Sequence, residues 1–266
     1  MLSLSPFHLL LLAAEYYIVR SVLVKKKFAS LGEVRTRSYL QYCSVAHALD
    51  LVGERWALLI VRELLLGAKR FRDLHEGLPG ISTNVLTNRL KELEATGVIR
   101  RRLLPRPASG TVYELTEYGR ELEDVVVALG RWGAKTIAAR GAEHAFKPEW
   151  FAIALLGSFR AESAGGVRAM YELRLDGSVF HLGVNGGKLE HGRGPAEHAD
   201  LVIETDSESL FALLKGQLAA TDAVATGAVK IEGSPDELQT MIDLFALGQG
   251  SQREQGPDTS PLEPVK

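Results

Sequence analysis

Residues 82–97, STNVLTNRLKELEATG, predict one amphipathic helix with recognisable signals at both ends. Ser82 is a residue type that caps helix amino termini, and Gly97 is a residue type that commonly ends helices. Leucines recur along the stretch at helical spacing, so they predict one buried stripe. The opposite face carries side chains that can hydrogen-bond to base edges or to phosphates. Those side chains belong to Thr83, Asn84, Thr87, Asn88 and Lys91.

The next stretch, residues 98–115, has the sequence VIRRRLLPRPASGTVYEL, which predicts two strands around a Pro/Ser/Gly tip. Its arginines are Arg100, Arg101, Arg102 and Arg106. A polar helix face alone is more typical of a solvated surface than of a DNA contact. A local ridge of positive charge beside that face favours a polyanionic partner. A helix followed by a basic hairpin therefore predicts a winged helix-turn-helix that binds double-stranded DNA.

The preceding residues predict the rest of a three-helix core. Residues 43–51, 55–66 and 71–78 each have the pattern of a short helix, and a Pro-Gly pair at 79–80 predicts a turn. A short helix that precedes the candidate recognition helix across such a turn is the helix-turn-helix arrangement. In the second of these helices the predicted buried residues are Trp56, Leu59, Ile60 and Leu64.

The residues after the hairpin predict a long helix that so small a core cannot bury. Thr116 is a suitable amino-terminal cap, and the helical pattern runs to about residue 140. Its apolar stripe consists of Leu122, Val125, Val126, Leu129 and Trp132. A helix left over after a core closes often pairs with a second subunit, so this pattern favours a homodimer.

The composition is that of a globular chain large enough for two domains. Its 266 residues are 46% hydrophobic and 24% charged, and the net charge is −2. Residues 34–141 hold 17 Lys and Arg against 12 Asp and Glu, whereas residues 142–266 hold 10 against 19. Only the first of these parts is therefore suited to contact phosphates. Cys43 is the one cysteine of the sequence and cannot form an internal disulfide, which favours a reducing compartment, here the cytoplasm.

Residues 1–33 form an amino-terminal extension that is open to several interpretations. Its apolar run contains Glu15 and Arg20, so its longest uncharged stretch, residues 1–14, is shorter than the roughly 18 residues that span a bilayer. A membrane anchor is therefore disfavoured. A secretory signal is also disfavoured, because the basic cluster follows the apolar run rather than preceding it. The third interpretation is that the extension lies upstream of the functional start, at Val34.

Several motifs follow one another between residues 42 and 135. They are the cysteine near the start, the GERW turn, RF-x-x-L, IS-x-x-x-L-x-x-RL-x-x-LE, G-V-I-x-R and YELTEYG. In this order they closely resemble the HxlR-type winged-helix transcriptional regulators of bacteria. The resemblance implies a dimer whose helix at residues 82–95 enters the major groove, so that Ser82 and the polar face above lie near bases.

The same resemblance implies roles for two further groups of residues. It places Arg89 near a phosphate and the wing arginines on the flanking backbone or minor groove, although an ion pair with a nearby glutamate is an alternative for Arg89. Cys43 occupies a position that is a redox switch in some members of the family. For Cys43 the sequence itself favours a buried structural thiol, since the low-pKa surroundings of a redox thiol cannot be read from sequence.

After a polar linker at residues 142–149 the pattern changes to alternating strands. Asp176-Gly177 predicts a tight hairpin turn, and Asn185-Gly186-Gly187 predicts a second turn. The predicted strands are 171–175, 179–184, 188–191, 201–205 and 227–232, and the predicted helices are 210–214, capped by Ser207, and 235–247. This order indicates an α+β domain with helices covering a sheet. The Gln/Gly/Pro-rich residues 248–266 predict a disordered tail.

This half contains the hairpin, the ADLVIET strand, S-x-x-L-x-x-LL-x-G and GAVKIEGS-x-x-x-L-x-x-x-x-x-LF. Together these features resemble the sterol-carrier-like lipid-binding domains. The resemblance spans residues 150–247 and implies a five-stranded sheet whose helices enclose an apolar tunnel for acyl chains or sterols. Its candidate cavity residues are Phe211, Leu214, Leu218, Val224, Met241 and Phe245. Ordinary core packing is the alternative for each, because apolar stripes at helical spacing need no ligand.

The predicted fold class is therefore multidomain, with a mainly α winged helix-turn-helix at residues 34–141 and an α+β sterol-carrier-like domain at 150–247. The sequence holds no G-x-S-x-G elbow, P-loop or H-E-x-x-H, and its histidines lack metal-ligand spacing. We thus expect a non-enzymatic transcriptional regulator with no metal or other cofactor. The alternatives are a lipid-carrier domain tethered to DNA without a sensing role, and an enzyme acting on acyl ligands.

Overall fold

The structure is a computed structural model that describes residues 38–136 and 144–247. The predictions for the extension at residues 1–33 and the tail at 248–266 lie outside the described residues. By its internal contacts the chain divides into two compact units, between Val126 and Val127. Within the described residues no helix has the length and apolarity needed to cross a membrane.

The first unit combines short helices with a three-stranded antiparallel sheet of order β1-β3-β2. The elements from its start are α1 (Ser44–Val52), α2 (Ala57–Leu65), β1 (Lys69–Arg70), α3 (Phe71–Gly77), α4 (Thr83–Ala95), β2 (Ile99–Leu104), β3 (Gly110–Leu115), α5 (Glu117–Arg120) and α6 (Glu123–Ala134). The last of these helices spans the division between the two units. The prediction of a winged helix-turn-helix is confirmed.

Burial in α2 differs from the prediction at its amino-terminal end. Ile60 and Leu64 are buried as expected, whereas Leu59 is 40% exposed and Trp56 is only half-buried. Trp56 precedes the helix with a left-handed φ of 80°, so the helix begins at Ala57. Leu59 therefore lies at the exposed edge of the helix, although the sequence pattern placed it in the core.

A buried ion pair joins α2 to β1. The ammonium of Lys69 lies 2.7 Å from a carboxylate oxygen of Glu63, and the two side chains are only 6% and 1% exposed. Arg62 donates a second hydrogen bond to Glu63 at 2.8 Å. Gly77 at the end of α3 lies so close to this carboxylate that an added Cβ atom would collide with it. The pair therefore determines how closely α3 packs on α2.

The single long helix predicted from Thr116 is interrupted in the structure. The Thr116 side chain caps α5 by accepting a hydrogen bond from Gly119, and its hydroxyl donates to the carbonyl oxygen of Gly97 at 2.6 Å. Gly119 also lies against the backbone carbonyl of Val98, where a Cβ atom would not fit. These contacts hold α5 on the wing, and a new helix, α6, begins at Glu123. Residues 137–140 lie outside the described part.

The second unit contains a five-stranded mixed sheet of order β6-β5-β4-β7-β8. Its elements are α7 (Pro148–Ser158), a 3-10 turn (Ala161–Ser163), β4 (Arg168–Leu175), β5 (Ser178–Asn185), β6 (Lys188–Arg193), β7 (Leu201–Thr205), α8 (Ser207–Leu214), α9 (Ala220–Ala225), β8 (Val229–Glu232) and α10 (Pro235–Phe245). Only the β4·β7 pairing is parallel. This architecture confirms the predicted α+β class and the number of strands.

The five strands of this unit overlap the predicted ones, although β4 begins three residues earlier and β8 two residues later than predicted. Larger differences concern the helices. The hairpin turn has positive φ at both Asp176 and Gly177, as a two-residue turn of this kind requires. Asp206, not Ser207, caps α8, because its carboxylate accepts from the backbone N–H of Ser209 at 2.7 Å. Ser207 instead donates its backbone N–H to Asp176. The sequence analysis did not predict α7 or α9.

Candidate nucleic-acid interface

The candidate recognition helix α4 is fixed at both ends by local contacts. The Ser82 hydroxyl accepts a hydrogen bond from the backbone N–H of Val85, which is the capping arrangement predicted. At the other end Gly97 takes a positive φ of 71°, and the N–H of Val98 donates to the carbonyl oxygen of Leu93 at 2.9 Å. The helix therefore starts and stops where the sequence indicated.

The helix buries one face and exposes the predicted polar one. Leu86, Leu90 and Leu93 are at most 2% exposed, so they form the buried stripe. The exposed polar residues are Ser82, Thr83, Asn84, Asn88 and Lys91. Thr87 is half-buried, and its hydroxyl donates to the carbonyl oxygen of Thr83 at 2.8 Å. The carboxamides and the ammonium on this face have the chemistry needed to read base edges.

Val85 is an exposed residue of α4 that the sequence analysis missed. It is 37% exposed and lies one helical turn before Asn88. An exposed apolar side chain there can contact the methyl group of thymine. Its spacing from Asn88 was the available signal, but an isolated valine beside a leucine stripe is more typical of a core position.

Arg89 lies in ion pairs within the protein. One terminal nitrogen donates to Glu54 at 2.9 Å, and the other contacts Glu92 one turn along the helix. Its side chain is 19% exposed. The glutamate pairing named as its alternative is therefore present, and the placement of Arg89 on a phosphate stays a prediction that requires these pairs to open.

The wing consists of β2, β3 and the residues between them, and its arginines have carboxylate partners. Arg100 and Arg102 project on one side of β2 and donate to the two oxygens of Glu114, at 2.7 and 2.8 Å. Hydrogen bonds from Arg102 and then Arg100 lower the pKa of this buried carboxyl. Arg101 projects on the other side and donates to Glu94 of α4 at 2.9 Å. The wing is thereby tied to the end of the recognition helix.

These pairs leave the wing surface positively charged. Arg100, Arg101 and Arg102 remain 63%, 57% and 45% exposed. Arg106, at the tip, is exposed and forms no ion pair with any residue of the described ranges. The structure therefore brings the four predicted wing arginines to one hairpin. Glu114 and Glu94, which partly compensate their charge, were not identified from sequence.

Cys43 precedes α1 and is exposed, so the prediction of a buried structural thiol is wrong. The nearby backbone N–H groups of Ala46 and then Val45 lower the pKa of the thiol. Both donors belong to the first turn of α1, where free N–H groups favour an anion.

The predicted cavity residues of the second unit divide into two groups. Leu214, Met241 and Phe245 are buried in the core, and Leu218 is half-buried. Phe211 and Val224 are 41% and 36% exposed. Phe211 packs edge-on against Phe151, with ring centroids 6.2 Å apart. The structure thus places three of the six candidates between helices and sheet and two at the surface.

The geometry defines the first unit as a winged helix-turn-helix, a fold used by DNA-binding regulators. Comparison with known proteins agrees: the model of the HxlR-like helix-turn-helix family matches residues 51–140. The chain belongs to this family. A second model, that of the SCP-2 sterol transfer family, matches residues 159–246. The sterol-carrier-like domain predicted from sequence is thereby confirmed, and the chain is a DNA-binding transcriptional regulator with this domain attached.

Curated relatives match about a third of the chain. The HTH-type transcriptional regulator sll1512 of Synechocystis sp. is 37% identical over 101 residues, which are 38% of this chain and 75% of the relative. The HTH-type transcriptional regulator YodB of Bacillus subtilis is 40% identical over 85 residues, 32% of this chain and 76% of the relative. Among solved structures, a putative HTH-type transcriptional regulator, ytcD, is 39% identical, with a TM-score of 0.33, over 35% of this chain and 95% of that one.

Proposed function

We propose that the protein acts as a homodimer in which α4 of each subunit enters the major groove of an operator. The exposed polar face of α4 is the observation that carries this proposal. Asn84, Asn88 and Lys91 offer donors and acceptors at positions that the packing of the helix leaves accessible. Side chains of these types form the specific contacts to adenine and guanine edges in the major groove.

In this proposal the wing provides affinity rather than sequence discrimination. Its arginines lie on a hairpin joined to α4 through the Arg101–Glu94 ion pair. Contacts of arginine with phosphates position a protein on DNA and make binding dependent on salt. The wing is therefore assigned to the backbone or minor groove beside the site read by α4.

Dimerisation is supported by the apolar surface of α6. No residue of this helix is buried within the single chain. Val125, Leu129 and Trp132 are 45%, 47% and 71% exposed. Single exposed apolar residues are common, but an entire helix without a buried residue favours a protein partner. In α1, Val45 and Leu49 add further exposed apolar surface.

Selection of bound DNA from a random pool tests this proposal. A dimer with two recognition helices selects a pseudo-palindrome whose half-sites are separated by about 34 Å or a multiple of that distance. The selection is repeated with a lipid extract present. Enrichment of single half-sites would contradict the dimer, and recovery of unselected sequence would contradict the assignment of α4.

The second unit is proposed to bind an apolar ligand, of the fatty-acid or sterol type, and to act as a non-enzymatic sensor. The match to the SCP-2 sterol transfer model and the apolar core around Leu214, Met241 and Phe245 support this assignment. Because α6 spans the division between the two units, it is the proposed route of coupling. A ligand can change DNA binding only if its affinity differs between the competent and incompetent states.

The sensing role is tested by titrating a fatty acid into protein bound to its selected operator. A coupling of about 1 to 3 kcal/mol changes operator affinity roughly 5- to 150-fold. Leu214→Trp, which fills space in the core of the second unit, should abolish this change and leave ligand-free operator binding intact. Circular dichroism verifies that the variant is folded. If saturating ligand binds without changing operator affinity, the second unit is a lipid carrier without a sensing role.

A further inference from the structure

Arg70 connects the start of α3 to the tip of the wing. It belongs to β1, where it pairs with Val112 of β3, and its guanidinium reaches the loop between β2 and β3. One terminal nitrogen donates to the carbonyl oxygen of Ser109 and the other to that of Ala108, both at 3.1 Å. Two parallel bonds from one planar guanidinium fix the direction of both carbonyl groups, which a single donor would not do.

Gly110 lies directly against this contact, and Arg70 itself is exposed. Gly110 has a φ of +133°, a conformation that L residues with a side chain rarely adopt. A Cβ atom at this position would lie 2.5 Å from the terminal nitrogen of Arg70 that bonds Ser109. Arg70 is also fixed at its own backbone, because its N–H donates to the carboxylate of Asp73 at 3.1 Å. Both ends of the contact are thus positioned by the fold.

We propose that Arg70 is a positioning residue for DNA binding, which acts by ordering the wing tip that carries Arg106. This inference rests on the proposed role of the wing. Residues 105–109 connect the two strands, and the bonds from Arg70 are made to two of them. A tip that is ordered before DNA arrives loses less conformational entropy on binding. Each terminal nitrogen of the Arg70 guanidinium donates to a carbonyl oxygen of the tip, and in this proposal its contribution to DNA binding passes through Arg106.

A double-mutant cycle between Arg70→Ala and Arg106→Ala tests the inference on the full-length protein with its selected operator. With Arg106 present, Arg70→Ala should weaken binding about 2- to 12-fold, the range expected for ordering one long side chain. In the Arg106→Ala background the same change should alter affinity by less than about twofold. Arg70→Lys keeps the charge but lacks the fork, so it should behave like Arg70→Ala.

A charge control and a measurement on the free protein accompany the cycle. Lys230→Ala removes one exposed charge from the second unit and should leave operator affinity unchanged. In the free protein, NMR relaxation should show the order parameter of the Ser109 N–H falling from about 0.85 to below about 0.6 in Arg70→Ala.

The outcomes separate this inference from the proposed function. If the losses of operator affinity from Arg70→Ala and Arg106→Ala multiply, and Arg70→Lys restores the affinity, Arg70 contacts DNA itself. That result would overturn the inference alone. An unchanged order parameter at the tip would also overturn it. Unchanged binding by Arg106→Ala would overturn both the proposed role of the wing and the inference that depends on it.

Discussion

Replacing Asn88 with alanine separates sequence reading from general affinity for DNA. The carboxamide lies on the exposed face of α4 and forms no hydrogen bond within residues 38–136 and 144–247, so its loss leaves no protein group unpaired. A bidentate contact between such a carboxamide and adenine provides about 1–3 kcal/mol of discrimination. Operator affinity should therefore fall roughly 5- to 150-fold, with no change on scrambled DNA.

Arg106→Ala is the matched change on the wing. Its guanidinium is exposed, and one lost phosphate contact reduces the salt slope of binding by about 0.9. Between about 50 and 200 mM salt, that single contact accounts for roughly a 3.5-fold change in affinity. The loss should be the same on operator and scrambled DNA, because phosphates carry no sequence information.

Fluorescence anisotropy with a labelled operator and a scrambled duplex of the same composition, across this salt range, measures both effects. Asn88→Ala should change the ratio of the two affinities at constant salt slope, and Arg106→Ala should change the slope at constant ratio. If Asn88→Ala weakened binding to both duplexes alike, α4 would not be the helix that reads sequence, and the reasoning would be refuted.

Three further predictions concern stability and assembly. Lys69→Met removes the ammonium partner of the buried Glu63 carboxylate, which keeps its hydrogen bond from Arg62, and should lower the free energy of unfolding by about 1–3 kcal/mol in urea titrations; an unchanged free energy of unfolding would contradict the argument. The Tyr171 hydroxyl is buried with no hydrogen-bond partner within the described residues, so Tyr171→Phe should raise stability by about 1 kcal/mol. Burial also raises the pKa of Tyr171 to about 12, so the stability of the wild type should fall as pH rises from about 10 through that value. Alkaline melting curves should show that Tyr171→Phe removes this part of the fall. Replacing Leu129 and Trp132 with glutamate should raise the dissociation constant of the dimer at least about tenfold in analytical ultracentrifugation. An unchanged dissociation constant would exclude α6 as the interface.

The sequence predicted those parts of the interface that depend on local chemistry. The bounds of α4 followed from a serine cap, the leucine spacing and a glycine in the left-handed region, all within one stretch of chain. The strands of the second unit followed from alternation and from the Asp176-Gly177 turn. Because such signals involve neighbouring residues, they can be read without knowing the fold.

The errors arose where distant residues decide the outcome. The break between α5 and α6 depends on the close packing of Gly119 on the Val98 carbonyl, which sequence periodicity does not contain. Likewise the four wing arginines were visible in sequence, but the pairing of Glu114 with two of them depends on strand register. Arg70 lies 38 and 39 residues from the carbonyl groups that it binds, so its link to the wing required the structure.

Dimethyl sulfate footprinting of the selected operator tests most directly whether α4 reads DNA in the major groove. The reagent methylates N7 of guanine in the major groove and N3 of adenine in the minor groove, so protection reports which groove is occupied. The dimer should protect guanine N7 in two patches about 10 base pairs apart, and Asn88→Ala should reduce that protection. Protection confined to adenine N3, or a single patch of guanines, would contradict the account.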